Sequence, residues 1–167
     1  YNGNKCCVIN ALSDKHHPLQ TLADLMTLQE VLGRTELRDL TVSWIGDGNN
    51  VLNDLLLGCA KMGIKTRVAT PKGYEIDEDI VREVTRIYKE ESKMEDGLVQ
   101  TNDPKVAAKG SDCLCTDTWI SMGEEAIYES KVKEFAGYQI NNSLMALANK
   151  DCKFMHCLPR HKEEVDD

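Results

Sequence analysis

The sequence predicts an α/β domain of three layers, a mostly parallel sheet with helices on both faces. Two observations predict it. Short apolar or β-branched runs alternate with capped, helix-like segments along nearly all of the 167 residues, and such alternation is the pattern of a helix-covered parallel sheet. Three polar clusters, "GDGNN", "DTWISMG" and "HCLPR", fall where strand-like runs end. That is the edge at which parallel α/β folds bind ligands, near a switch in strand order.

Each element has its own signal. "KCCVI" (5–9) reads as a short apolar strand. Residues 18–32 read as a helix, with Pro18 at the first helical position, Gly33 just past the end, and Leu19, Leu22, Leu25, Met26 and Leu32 near helical spacing. "TVSWI" (41–45) is β-branched and aromatic. A mostly apolar helix then runs over 51–62 and stops at Gly63. "KTRVA" (65–69) is the next strand, broken by "TPKG". Over 78–92, Ile80, Val84, Ile87 and Tyr88 share one face of a helix whose first turn is acidic. "GLVQT" (97–101) follows. Asp103, Pro104 and Gly110 bracket a short helix, and "DCLCT" (112–116) is a strand. Residues 124–134 and 142–148 read as helices, "GYQI" as a short strand and "KFMHC" (153–157) as the last one.

Composition narrows the function classes. A net charge of −8 disfavours nucleic-acid binding. No apolar run approaches the roughly 20 residues of a membrane span. The seven cysteines are an odd number, mostly within strand-like runs and without metal-ligand spacing. They read as reduced thiols of a soluble intracellular protein, with no metal site. The chain opens on "YNGNK" with neither an initiator methionine nor a leader-like segment, so it reads as a processed product or a piece of something longer.

At the clusters, residue chemistry suggests a ligand without requiring one. His17 and Gln20 lie three apart at a helix start and could together grip a polarised carbonyl, or simply open a helix. "GDGNN" lacks the third glycine of a dinucleotide loop, and the following strand lacks a ribose-binding acid, so NAD is disfavoured. It presents Asp47 and the amides of Asn49 and Asn50 to an amino-acid ligand, or else Asp47 and Asn50 merely cap the following helix. Asp117 at a strand end suits an ammonium group, with Ser121 and Met122 close by in sequence. His156 and Cys157 are adjacent in an extended run, point to opposite faces, and so make a poor nucleophile–base pair.

In this order, "HPLQ…LADLMTLQE", "WIGDGNN", "ATPKGYE", "TDTWISMGEE" and "FMHCLPRHKEEVDD" closely resemble the ornithine carbamoyltransferase family. The resemblance runs over essentially the whole chain and matches the second half of those enzymes. It implies a Rossmann-like domain and transfer of a carbamoyl group from carbamoyl phosphate to the δ-amine of L-ornithine, giving citrulline and phosphate in arginine metabolism. It implies no metal, no organic cofactor and no covalent enzyme intermediate. Carried over by motif, His17 and Gln20 hold the carbamoyl group. Asn50, Asp117, Ser121 and Met122 bind the amino-acid end of ornithine, Met122 through its backbone. Cys157 and Leu158 flank the reacting centre beside a cis Leu–Pro bond.

The resemblance further implies that residues 1–16 are a remnant of the carbamoyl-phosphate domain with its link. Residues 17–167 would be the ornithine-binding domain, incomplete at its C-terminal end. The family's S-T-R-T-R-type phosphate grip is not in this chain, so the chain alone is expected to be inactive. The full enzyme is expected to be a homotrimer. A non-catalytic amino-acid-binding or regulatory module of the same fold is the alternative reading.

Overall fold

A computed structural model describes residues 6–120 and 127–166. Its centre is one five-stranded sheet, built from β1 (Thr41–Ile45), β2 (Lys65–Ala69), β3 (Leu98–Thr101), β4 (Cys113–Cys115) and β5 (Lys153–Met155). Every pairing is parallel and the strand order is β3-β2-β1-β4-β5. The chain thus winds outward from β1 to β3, returns across the sheet, and continues on the other side of β1. The order reverses between β1 and β4, where ligands bind in such sheets.

Successive side chains on a strand point to opposite faces, and both faces are covered. Val42 and Trp44 of β1, with Cys113 and Cys115 of β4, join a core beneath α1 (Pro18–Leu32), α2 (Asn50–Met62) and α3 (Glu78–Ile87). Ile45 and Leu114 point the other way, into a second core shared with α4 (Pro104–Ala108), α5 (Tyr128–Glu134) and α6 (Asn142–Met145). On that side the Ser43 hydroxyl donates to the Ala107 carbonyl at 2.8 Å, which satisfies a fully buried polar group.

The helix boundaries follow the expected punctuation. Pro18 opens α1, and Gly33 and Gly63 close α1 and α2 in the left-handed conformation, with φ of 63° and 69°. Asp103 accepts from the Lys105 amide and caps α4. The expected 78–92 helix changes character at Tyr88, continuing as one wider π turn through Ser92. Among the described residues no helix is long and apolar enough to cross a membrane.

Other expectations need correction. The described part of "KCCVI" is irregular, and Val8 and Ile9 are exposed. A strand exists only by pairing, and neither sheet edge pairs with this segment. "GYQI" makes a single bridge, Ile140 to Val165, rather than a strand. The 142–148 helix is confined to four residues, and the last strand ends at Met155, level with the end of β4, its one partner strand among the described residues. Residues 124–126 of the expected 124–134 helix lie outside the described residues. The apolar positions of α1 also divide: Leu25 and Leu32 pack on the core, whereas Leu19, Leu22 and Met26 face outward.

Candidate active site

An open cleft of about 970 Å³ lies at the carboxyl ends of β1 and β4, beside the start of α1. Six of the eight residues singled out in the sequence line it: His17, Gln20, Asn50, Asp117, Cys157 and Leu158. Ser121 and Met122 lie outside the described residues.

Asp117 is the centre of the arrangement. Its backbone follows β4 into the switch point, and the residue is only 9% exposed. One carboxylate oxygen accepts from Asn49 Nδ2 at 2.9 Å and the other from the Cys157 thiol at 2.8 Å. Asn49 also caps α2, its Oδ1 accepting from the amides of Val51 and Leu52. The cap is therefore Asn49, not Asp47 or Asn50, and it fixes the amide that meets Asp117. Burial, reinforced by the neighbouring Asp117 carboxylate, pushes the Cys157 thiol up to about 12. At neutral pH it is a protonated donor, not a thiolate nucleophile.

The β1–α2 turn is held from three sides. Trp44 Nε1 donates to the Asp47 carbonyl, and the Gly48 amide donates to the Tyr74 carbonyl at 3.0 Å. A Cβ on Gly48 would stand 2.6 Å from the carbonyl oxygens of Tyr74 and Glu75, so only glycine allows that approach. From the third side Lys131 of α5, 2% exposed, places its ammonium 2.7 Å from the Asp47 carboxylate and over the Tyr74 and Phe135 rings.

The segment before α1 is stitched to α2. Asn50 Nδ2 donates to the Ser13 carbonyl, Asn53 Nδ2 to the Lys15 carbonyl, and Asp54 accepts from the His17 amide and pairs with His16. Asn50 thus lines the cleft while its NH2 group anchors the segment leading to His17. The His17 imidazole does not cap α1, and its buried Nδ1 has no hydrogen-bond partner among the described residues. Gln20 Nε2 donates to Asp24 Oδ1, one turn further on, at 2.8 Å.

Sequence reading missed a pair behind the cleft. His156 Nε2 lies 3.0 Å from Glu164, their side chains 4% and 3% exposed, and the His156 ring also meets the Cys157 carbonyl. Burial lowers the His156 pKa, but the Glu164 carboxylate and that carbonyl outweigh it and leave it above the ordinary imidazole range. Glu164 also accepts from the amides of Trp119 and His161. It therefore ties the C-terminal turn to both strand ends. Beside it the Leu158–Pro159 bond is cis, as the family resemblance implies. Lys131 and Glu164 gave no signal of their own in sequence, because a lone lysine or acid is ordinary until its partner is known; Asn49 reads there as a ligand amide but not as the helix cap.

The fold and the cleft define a class: a doubly wound parallel α/β domain whose polar site, centred on a carboxylate, sits at its topological switch point. Within that class the chain belongs to the family described as aspartate/ornithine carbamoyltransferase, Asp/Orn binding domain, whose model matches residues 38–167. It is 49% identical to the mitochondrial ornithine carbamoyltransferase of Schizosaccharomyces pombe, over 97% of this chain and 48% of that protein. It is 51% identical to the mitochondrial ornithine transcarbamylase of Gallus gallus, over 96% of this chain and 44% of that one. Among solved structures, the anabolic ornithine carbamoyltransferase of Campylobacter jejuni superposes with a TM-score of 0.88 at 38% identity, covering 98% of this chain and 53% of that one. The chain spans about half the length of the curated relatives it matches.

Proposed function

We propose that this chain is the ornithine-binding half of an ornithine carbamoyltransferase. The observation that carries the reading is the convergence of Asp117, Asn49 and Cys157 at the switch point, in one cleft with His17 and Gln20. Asp117 receives the permanently charged α-ammonium of L-ornithine, with Asn50, Ser121 and the Met122 backbone completing the amino-acid end. The far amine is then the one free to reach the carbamoyl carbon. It must first lose a proton, because only the neutral amine carries a lone pair. Attack forms a C–N bond and an oxyanion; collapse expels phosphate, and the nitrogen releases its second proton to give citrulline.

Holding two substrates in line supplies much of the acceleration. Donors aimed at the carbamoyl oxygen stabilise the oxyanion. His17 and Gln20 stand on the carbamoyl side, and Cys157 and Leu158 beside the reacting centre. The carbamoyl-phosphate half, to which residues 1–16 lead, covers the outward face of Leu19, Leu22 and Met26. The complete enzyme is a homotrimer.

The test is calorimetric titration of the chain with L-ornithine, then with the Asp117→Ala variant, followed by citrulline assay on adding a carbamoyl-phosphate half. The expected result is ornithine binding lost in the variant, with citrulline formed only when both halves are present. Binding without any citrulline would favour the non-catalytic module. No ornithine binding would sink both.

A further inference from the structure

Asp24 was assigned no role, yet its placement controls a residue that was. It lies four positions after Gln20, on the same face of α1, and its Oδ1 accepts the Gln20 amide at 2.8 Å. Both residues border a void of about 10 Å³, shared with Thr116, Asp117, His156 and Cys157, behind the main cleft. A glutamine amide is a donor at one end and an acceptor at the other, and its direction is set by its partners. An ionised carboxylate can only accept.

We propose that Asp24 is a positioning residue that fixes the polarity of Gln20, drawing its NH2 inward and leaving Oε1 as the atom offered to the cleft. Resting on the reading that Gln20 meets the carbamoyl group, the contact is then made through an N–H of that group, which leaves its carbonyl oxygen to other donors. Protonated Asp24 would carry both a hydroxyl able to donate to Oε1 and a carbonyl able to accept from NH2, so the amide would be free to roll over and present NH2. The polarity of this wall therefore follows the charge on Asp24.

The surroundings bring that change within reach of ordinary pH. Burial raises the Asp24 carboxyl; the Gln20 bond lowers it, Asp117 raises it and His17 lowers it, and the balance stands at about 6. The other titratable groups around it are the Cys59, Cys115 and Cys157 thiols, all raised and so neutral at the pH of interest, and His156. Trp44 and Val51 complete the enclosure without charge.

The experiment is NMR of the 167-residue chain, following the Gln20 side-chain NH2 and the Asp24 carboxyl carbon through the pH range around 6. A shared midpoint, with the Gln20 response lost in Asp24→Asn, is the expected result. A Gln20 amide indifferent to pH while Asp24 titrates would overturn the proposal. So would an unchanged Gln20 titration in Asp24→Asn, which would trace it to a group other than Asp24. Should Asp24→Asn fail to fold, the wild-type midpoints alone decide. The measurement needs no ligand, so a shared midpoint in a chain that binds no ornithine would overturn the functional reading and leave Asp24 its role.

Discussion

Two ion-pair systems in this molecule use similar chemistry in opposite settings. On α3, Arg86 reaches Glu83, Glu90 and Glu91 at 2.8–3.1 Å, all on the solvent side. Beside the cleft, Lys131 and Asp47 form one pair at 2.7 Å, with the lysine 2% exposed. The exposed cluster involves more charges but joins neighbours on one helical stretch, and water screens it. The buried pair joins α5 to the β1–α2 turn, and that turn carries Asn49 to Asp117. An ion pair matters to a site through what it connects and how costly it is to break, not through the number of its members.

The largest effect should come from breaking the buried pair singly. Lys131→Met removes a buried ammonium 2.7 Å from the Asp47 carboxylate, and the expected loss is about 3–5 kcal/mol in denaturant unfolding. Adding Asp47→Asn should recover a large part of it; a double variant as unstable as the single one would show that packing, not charge, is at stake.

The His156–Glu164 pair sharpens the comparison because its charge can be switched. His156 titrates higher in the folded chain than unfolded, so the pair's stabilisation is complete at pH values below the unfolded imidazole pKa. It is lost as pH rises through the folded one. Glu164→Gln should therefore lower the melting temperature more at pH 6 than at pH 9. Equal losses would assign Glu164 only its bonds to the Trp119 and His161 amides.

Asp24 is the reverse case, a half-buried acid whose hydrogen-bond partner is the neutral Gln20 amide rather than a cation. Its folded pKa of about 6 lies above its ordinary value, so its ionisation costs the folded state stability as pH rises between the two. Asp24→Asn should raise the melting temperature at pH 8 relative to wild type and change it little at pH 4. The smallest effect belongs to the exposed cluster: Arg86→Ala should leave the melting temperature nearly unchanged, and any small loss should vanish in high salt.

Legibility divides along the same line. α1 could be bounded from Pro18 and Gly33 because caps and glycine conformations act over a few residues. Trp44 and Val42 could be placed in a strand because the β-branched and aromatic enrichment of "TVSWI" is local. Six cleft residues were legible through motifs, Asn50, Asp117, Cys157 and Leu158 in clusters after strands and His17 and Gln20 at the start of α1. "KCCVI" misled because its apolar composition says nothing about whether a partner strand lies beside it. Asn49 was hidden by Asn50, two amides in sequence of which the helix geometry makes only one the cap. Glu164 was hidden in "HKEEVDD", which reads as solvated surface until His156 is brought against it.

The sequence by itself determined the element order, the parallel class of the sheet and the edge at which chemistry would gather. Those follow from period, capping and turn chemistry within a few residues of one another. Only the tertiary structure decided that β4 lies against β1, that Lys131 meets Asp47, and that Asp117 is held between Asn49 and Cys157. Such pairings join residues far apart in the chain, and their energies come from burial, which no local pattern encodes.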